Sequence, residues 1–600
     1  MELVYFWIEK FGDKNNQDIN FNQNYTFKVE KQDEKYFLKM EENNNKIPDN
    51  YFGEKISNIS CIIGNNGSGK TSLIKEILRL KSSEYRKQKK YILVFKENKE
   101  IGIETNIEKY ILSESLESKF AVELRNNFVR HSKYIYFTND ITPMVESNIL
   151  NVFDISLKNK LNNYSLNEEK NKLITGRDFI NILHERNLED ISKFIIDNGD
   201  TFIKKIPYTS LKEKLRKIKA EGVLVFTLKE QFSEYESTKN YKDIYKKINI
   251  LLEKQEMDFK ESFILNIWKY ISDLIVTDIE NKKISEEVIK QLGKRSKNDT
   301  LVDWLKNQLF TLKGLVKDYT DEMEKAKENK EKFSPSLAIE RITFEEDYFL
   351  KILENIKEGY IVGNKYLEIP YQKNETFAKE ISEERRIRYQ FFKYTFKEGF
   401  SSGEFILLYL LKEIFDLKNK IDLNGGGKNI IFFLEELEGF LHPEWQRRAI
   451  ELLEIVIDNC TWLKGRKAQI ILSSHTPLLI GDIPKGNIKR IENFEIKDLT
   501  ENPFGDNLLK IFKFQFNLES LFGEFTREKI KKYAKKLKEN GQLLPEEKEE
   551  VQFLINNIEE PLIRSSLKEL YEKTFSKEER IKFLEEEIKK LKEEKNVEVR

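Results

Sequence analysis

The chain has 600 residues, more than one hydrophobic core usually serves, and at about 150 residues per domain it suggests about four domains or lobes. Its 103 Lys and Arg balance 103 Asp and Glu, so no global basic field draws it to nucleic acid and any such contact must use a local patch. With 39% hydrophobic and 12% aromatic residues it is too apolar to be a disordered chain, and two cysteines, Cys61 and Cys460, are too few for a disulfide framework or a zinc cluster.

Taken in order, residues 1–63 alternate short apolar runs with Asn, Asp and Gly turns: Leu3–Ile8, Tyr25–Val29 and Tyr36–Met40 read as strands. Ile56–Ile63 is another strand and runs directly into a glycine-rich loop. After the loop, Leu73, Ile74, Ile77 and Leu78 share one helical face. Lys90–Lys96 and Lys133–Phe137 are further strands, which makes 1–140 one α/β segment. Residues 141–390 change character: Lys/Glu-rich helical periodicity dominates, as in 241–280 and 301–332, and the stretch is expected to be a mainly helical insertion serving as a lid or as a partner or DNA contact. Within it Thr343–Ile369 fits helix and strand equally. In 391–500 the α/β pattern resumes, with Ile430–Leu434 and Gln469–Leu472 as short continuous apolar runs of the kind buried on both faces. Residues 501–600 are again mostly helical. Near the end Ser576 and Glu579 match a capping box, and Ile581, Leu584, Ile588 and Leu591 follow as an amphipathic end helix or a short dimerising coiled coil. The N-terminus carries early acids and no long apolar segment, unlike a secretory signal. The longest apolar run, Phe405–Leu411, is far short of the roughly 20 residues of a membrane helix. A soluble, cytoplasmic protein without membrane contact is expected.

The segment GNNGSGKTS, Gly64, Asn65, Asn66, Gly67, Ser68, Gly69, Lys70, Thr71 and Ser72, lies between a strand and a helix and satisfies the phosphate-loop pattern. Glycines let backbone N–H groups turn inward around a phosphate chain, and the helix N-terminus adds positive potential. Lys70 is placed to reach the terminal phosphates and the Thr71 hydroxyl to ligate Mg²⁺. ATP and Mg²⁺ are therefore the expected ligands. The run FSSGEF, Phe400–Phe405, opens a second helix. Taken alone, Ser401, Ser402, Gly403 and Glu404 also read as a Ser-Gly turn capping that helix. The run IIFFLEELEGFLHPEWQRR, Ile430–Arg448, is an apolar strand ending in Glu435 and Glu436, and ILSSHTP, Ile471–Pro477, is a strand that delivers His475. YIYFTND, Tyr134–Asp140, ends a strand in polar residues.

In this order the motifs resemble the head of ABC-type ATPases, in the SMC-like, RecF-like and overcoming-lysogenization-defect-type branch of the AAA-type ATPases. The resemblance implies an α/β head with an N-terminal antiparallel β subdomain, a large helical insertion and a helical C-terminal region. By it, Ser401, Ser402, Gly403 and Glu404 form the signature motif, Ser401 and Gly403 touching the γ-phosphate of a nucleotide held by the opposite protomer. Glu435 takes the magnesium position of a Walker B strand, one methylene longer than the family's usual Asp, and Glu436 takes the position of the general base. Glu438-x3-His442-Pro443 resembles the block that follows Walker B. His475 matches the switch histidine, and Asn139 stands where these ATPases place a Q-loop residue that touches Mg²⁺ or its water. The long gap between Lys70 and Ser401 suits this branch better than transporter cassettes.

NPFGDNLL (Asn502–Leu509) and GEFTREKIKKY (Gly523–Tyr533) resemble the C-terminal region of Septu and retron-associated anti-phage ATPases. That likeness implies a homodimer or higher oligomer and a separately encoded HNH-type nuclease, with a retron reverse transcriptase and its nucleic acid as further partners. No nuclease site is recognised in the chain itself. Glu495-x-Lys497 with Asp482 matches a nuclease pattern at the level of chance in so charged a sequence. For DNA contact, Lys212–Lys219 and Arg385–Lys393 are basic stretches that also read as solvated helix faces. A repair ATPase, an anticodon-nuclease-type RNA-cutting toxin and a slow nucleotide-binding scaffold stay open beside the defence reading.

Overall fold

The computed structural model describes residues 2–97, 100–138 apart from 109 and 125–127, 152–156, 205–228, 366–374, 392–421, 429–516, 522–539 and 542–574, with short pieces within 191–362 and single residues at 518, 520, 581, 585 and 588. Its strands are β1 (Glu2–Phe11), β2 (Lys14–Asn20), β3 (Tyr25–Gln32), β4 (Lys35–Glu42), β5 (Ile56–Ile63), β6 (Tyr91–Glu97), β7 (Glu100–Thr105), β8 (Tyr110–Leu112), β9 (Ala121–Leu124), β10 (Lys133–Thr138), β11 (Val152–Asp154), β12 (Val223–Leu228), β13 (Ile361–Val362), β14 (Tyr366–Pro370), β15 (Phe392–Phe396), β16 (Ile430–Glu435), β17 (Ala468–Ser474), β18 (Ile488–Glu492) and β19 (Glu495–Asp498). The helices that bear on function are α1 (Lys70–Arg79), α2 (Thr209–Glu221), α3 (Ser402–Lys420), α4 (Pro443–Arg447) and α5 (Ala449–Asp458).

A seven-stranded sheet in the order β11-β10-β16-β17-β5-β18-β19 organises the head. Its pairs are parallel except for the final β18–β19 hairpin. β5, β16 and β17 are buried almost without interruption, as expected of strands covered on both faces. The apolar runs of the sequence predicted these strands for that reason. The N-terminal sheet, β2-β1-β6-β7-β9, is antiparallel except at β7–β9, and β3-β4-β8 forms a smaller sheet beside it.

β1 is buried on both faces. Leu3, Phe6, Ile8 and Phe11 enter a core shared with α1 (Leu73, Ile74, Ile77, Leu78) and with Tyr134, Ile431, Phe433 and Ile471 of the central sheet. Val4, Tyr5 and Trp7 enter a second core with Phe27, Tyr36, Leu38, Val94 and Ile103. The consecutive pair Val4 and Tyr5 faces the same core because the register with β6 shifts between Leu3 and Tyr5, a bulge that adds one residue to the strand.

The region between the two halves of the head, expected to be a mainly helical insertion, holds both helix and strand among its described residues. Among its described residues α2 is helical, with Leu211, Leu215 and Ile218 buried at helical spacing. Yet β12, β13 and β14 join β15 in an antiparallel sheet of order β13-β14-β12-β15. The cause is legible afterwards in Val223–Leu228, a short apolar run whose Leu224 and Phe226 are buried. Its partners lie far along the chain, so no hairpin signature marks it. Thr343–Ile369 holds both states, helical at Ile352 and Leu353 and extended in β14. Most of 241–280, 301–332 and Arg385–Lys393, with Asn139, Ser576, Glu579, Leu584 and Leu591, lies outside the described residues. Gly505–Arg600 forms a separate unit, with a core of Tyr533, Leu537, Val551, Leu554, Ile555, Leu567 and Tyr571 contributed by its helices Glu524–Lys538, Pro545–Asn557 and Pro561–Glu572. Ile581 and Ile588 of the expected end helix are exposed. No helix among the described residues is long and apolar enough to cross a membrane.

One side chain of the central sheet completes the hydrogen bonding of the N-terminal sheet. Gln469 of β17 accepts from Leu3 N–H (2.9 Å) and donates to Leu3 C=O (2.8 Å), imitating a strand, and both residues are buried. Gln469→Leu keeps the volume but strips these partners from two buried backbone groups, at roughly 1–3 kcal/mol each. The expected outcome is a melting temperature several degrees lower by calorimetry. An unchanged value would mean that the two sheets are held together without this link.

Candidate active site

β5 ends at Ile63, and Gly64–Gly69 turn the chain into α1. Gly64 sits where no side chain fits: a Cβ there would lie 2.3 Å from the Ile491 carbonyl oxygen and 2.7 Å from Ser68 Oγ. Asn65, Asn66 and Gly67 are exposed, while Ser68, Gly69 and Lys70 are buried. The Lys70 ammonium donates to the carbonyls of Gly64 (2.9 Å) and Asn65 (3.1 Å), inside the curve of the loop. Burial holds its pKa below the usual lysine range, against the opposing pull of Glu436, Glu435 and Glu438. Thr71 and Ser72 follow in the first turn of α1, half-buried.

β16 delivers Glu435 to the middle of the sheet, opposite Thr138 on β10 and Ser473 on β17. Glu435 is 2% exposed. Tyr136 Oη donates to its Oε2 at 2.8 Å, while Oε1 is buried without a protein partner. Burial pushes this carboxyl up to about 7, opposed by the hydroxyl of Tyr136, by Lys75 and by the hydroxyl of Thr71. A buried carboxylate oxygen with free acceptor capacity, close to a threonine hydroxyl, fits a hard divalent cation. Among the described residues no three His, Cys, Asp or Glu side chains converge on a metal cage.

Glu436 leaves the strand in the left-handed region (φ +50), its N–H bound to the Ser473 carbonyl at 3.0 Å. This turn lifts its carboxylate out of the sheet, to 43% side-chain exposure, and brings Oε1 to 2.9 Å from His475 Nε2. His475 Nδ1 lies 3.3 Å from Lys70 Nζ. An ammonium only donates, so Nδ1 accepts and the ring proton sits on Nε2, facing Glu436. Lys70, His475 and Glu436 thus form one chain of polar contacts from the phosphate loop to the end of β16.

Sequence reasoning noted Glu438 only as part of a resemblance and gave it no task. Its buried Oε1 accepts from Ser474 Oγ (2.6 Å) and from the His475 N–H (2.7 Å), clamping the turn after β16 to the end of β17. Thr476 Oγ1 donates to Gln446 Oε1 (2.9 Å), and Gln446 Nε2 donates to the Leu441 carbonyl (2.9 Å). The only sequence signal was the spacing Glu438-x3-His442-Pro443. His442 itself caps α4, its Nδ1 accepting from Glu444 N–H at 3.3 Å.

The SSGE run caps α3. Ser401 Oγ accepts from Glu404 N–H (3.4 Å) and Ser401 N–H donates to Glu404 Oε2 (2.7 Å), a full capping box. Ser401 and Ser402 are exposed, and Gly403 lies against the Phe440 carbonyl, where a Cβ would sit 2.7 Å from the oxygen. Among the described residues these hydrogen bonds join Ser401 and Glu404 to each other and to Lys214, and none reaches the phosphate loop of the same chain. Lys214 of the basic stretch Lys212–Lys219 donates to Glu404 Oε2 at 2.6 Å, so part of that stretch faces the α3 start rather than solvent. Lys497, of the chance nuclease match, is ion-paired with Glu492 and Glu495.

The raised Glu435 carboxyl has a pH consequence. The folded chain binds this proton more tightly than the unfolded chain does, so the group adds stability below the ordinary carboxylate range and loses it as pH rises through about 7. In nucleotide-free protein, the melting temperature of wild type relative to Glu435→Gln is expected to fall between about pH 5 and about pH 8. A flat difference across that range would contradict a buried carboxyl with one unsatisfied oxygen.

The family model described as "AAA ATPase domain" matches residues 47–480, which holds the phosphate loop, α3, β16 and β17. A Vibrio cholerae serotype O1 biovar El Tor protein named "Retron Vc95 probable ATPase" is 33% identical over 119 residues. The alignment covers 18% of this chain and 21% of that protein, so the chain matches about a fifth of the relative's length. With the family match running from before Gly64 to beyond His475, the chain belongs to the AAA ATPase domain family.

Proposed function

We propose that the chain is an ATP-hydrolysing head that works in pairs of copies, as the sensor and regulatory subunit of a bacterial anti-phage system with a separately encoded HNH-type nuclease. The observation that carries the hydrolytic part is the contact chain Lys70–His475–Glu436 beside the half-satisfied, buried Glu435. In this reading the backbone of Gly64–Gly69 and the Lys70 ammonium hold the β- and γ-phosphates. Thr71 and Glu435 hold Mg²⁺, which when bound neutralises phosphate charge. Tyr136 fixes Glu435 Oε2 and leaves Oε1 for that task. Glu436, exposed enough to meet water, accepts the proton of the attacking water as general base. His475 Nε2–H orients the Glu436 carboxylate, and the backbone of His475 is itself held by Glu438.

The dimeric part is supported by the exposed Ser401 and Ser402 at the start of the 19-residue α3, whose hydrogen bonds leave the phosphate loop of their own chain untouched. A second copy would present this N-terminus to the γ-phosphate. The defence part is supported by the name of the retron relative and by the Asn502–Leu509 and Gly523–Tyr533 runs.

Phosphate release and light scattering with ATP test the reading together. Glu436→Gln is expected to lower kcat by about 10²–10⁴-fold, the usual share of a general base, and to hold an ATP-bound dimer. Lys70→Ala is expected to lose nucleotide binding. Wild-type turnover in Glu436→Gln would remove Glu436 from the base position. Purification with the neighbouring reading frame is expected to co-elute a small nuclease, and a lone DNA-stimulated ATPase would point to repair instead.

A further inference from the structure

The hairpin β18–β19 lies beyond the family match, which ends at residue 480. Its strands pair Glu492 with Glu495, leaving the two-residue turn Asn493–Phe494 with φ of +47 and +64. Such a turn favours Asn followed by Gly, because both positions need the left-handed region. Asn493 obeys that preference and Phe494 breaks it: a bulky residue is held in a conformation its side chain resists.

What the phenylalanine gains is contact with the phosphate loop. Its N–H donates to the Ser68 carbonyl at 2.8 Å. Its ring lies where a Cβ on Gly69 would come within 2.9 Å, and Gly69 has φ +113 as the residue before α1. On the other side a Cβ on Gly12, in the β1–β2 turn, would come within 2.6 Å of the ring. Phe11 meets it edge-on with centroids 5.3 Å apart. One turn earlier in the hairpin, the Ile491 carbonyl fills the space beside Gly64. Gln17 Oε1 of β2 accepts from Ile496 N–H at 2.8 Å and fixes the hairpin from outside. Both ends of the loop, Gly64 and Ser68–Gly69, therefore rest on this hairpin.

We propose that Phe494 is a positioning residue for the nucleotide: a wedge between the β1–β2 turn and the phosphate loop that keeps the loop's N–H groups turned toward the phosphates. This rests on the reading of Gly64–Ser72 as the nucleotide site. Phe494→Gly separates the wedge from the turn, since glycine suits the turn better and retains the N–H that binds Ser68. Nucleotide-free Phe494→Gly is expected to melt close to wild type while the Ser68–Lys70 amides exchange hydrogen faster. Its Kd for ADP and its KM for ATP are expected to rise about tenfold, the scale of one lost aromatic packing contact, with kcat little changed. Phe494→Tyr, which retains the ring, is expected to restore tight binding. Unchanged affinity and exchange in Phe494→Gly would overturn the proposal, and so would a fall in melting temperature and kcat with KM unmoved. Lys70→Ala serves as the control: if it still binds nucleotide, the site assignment itself falls, whereas lost binding there beside an unaltered Phe494→Gly removes only the wedge.

Discussion

The register of the parallel strands β10, β16, β17 and β5 decides where every chemical group of the site stands. Thr138, Glu435 and Ser473 lie side by side across three strands, and Ser474 lies beside Ile63, the residue before the phosphate loop. The carboxyl ends of the strands are thus level, and the loops that leave them open at one edge, where open α/β sheets bind ligands. A slip of one residue in β16 would turn Glu435 to the other face of the sheet and exchange it with Leu434.

On that edge three glutamates stand around one lysine. The arrangement is uneven by design of the backbone. Glu435 is inside the sheet and half satisfied, Glu436 is lifted out by a left-handed residue, and Glu438 is folded back onto Ser474 and His475. Each side chain therefore meets different partners, so three chemically identical groups become separable in function. In the proposed cycle the first serves the cation, the second the water and the third the geometry of the other two.

Much of this was legible because each motif is local. A phosphate loop, a strand ending in two acids and a strand ending in histidine are contiguous in sequence, and each carries its own strand-to-loop context. Glu438, Gln469 and Phe494 were not given roles because their work is done across the fold. Gln469 reaches Leu3, Phe494 reaches Gly12 and Gly69, and neither relation has a periodicity to betray it. The sheet formed by β12 within the region read as mainly helical has no local signal for the same reason: β12 pairs with β14 and β15, and the sequence around it is rich in Lys and Glu. The Ser401 cap shows the converse, since the local reading of SSGE as a helix cap is the one its hydrogen bonds display.

The position of β5 between β17 and β18 has a consequence for how the chain is made. The strand that carries the phosphate loop leaves the ribosome long before both of its neighbours, β17 and β18, which are among the last parts of the head to follow. At about 5–20 residues per second, its partners arrive roughly 20–90 seconds later. Through that interval β5 offers two open edges and an apolar face of Ile59, Cys61 and Ile63. The nascent head is therefore a natural client for chaperones, and the phosphate loop acquires its shape only after the hairpin that braces it emerges.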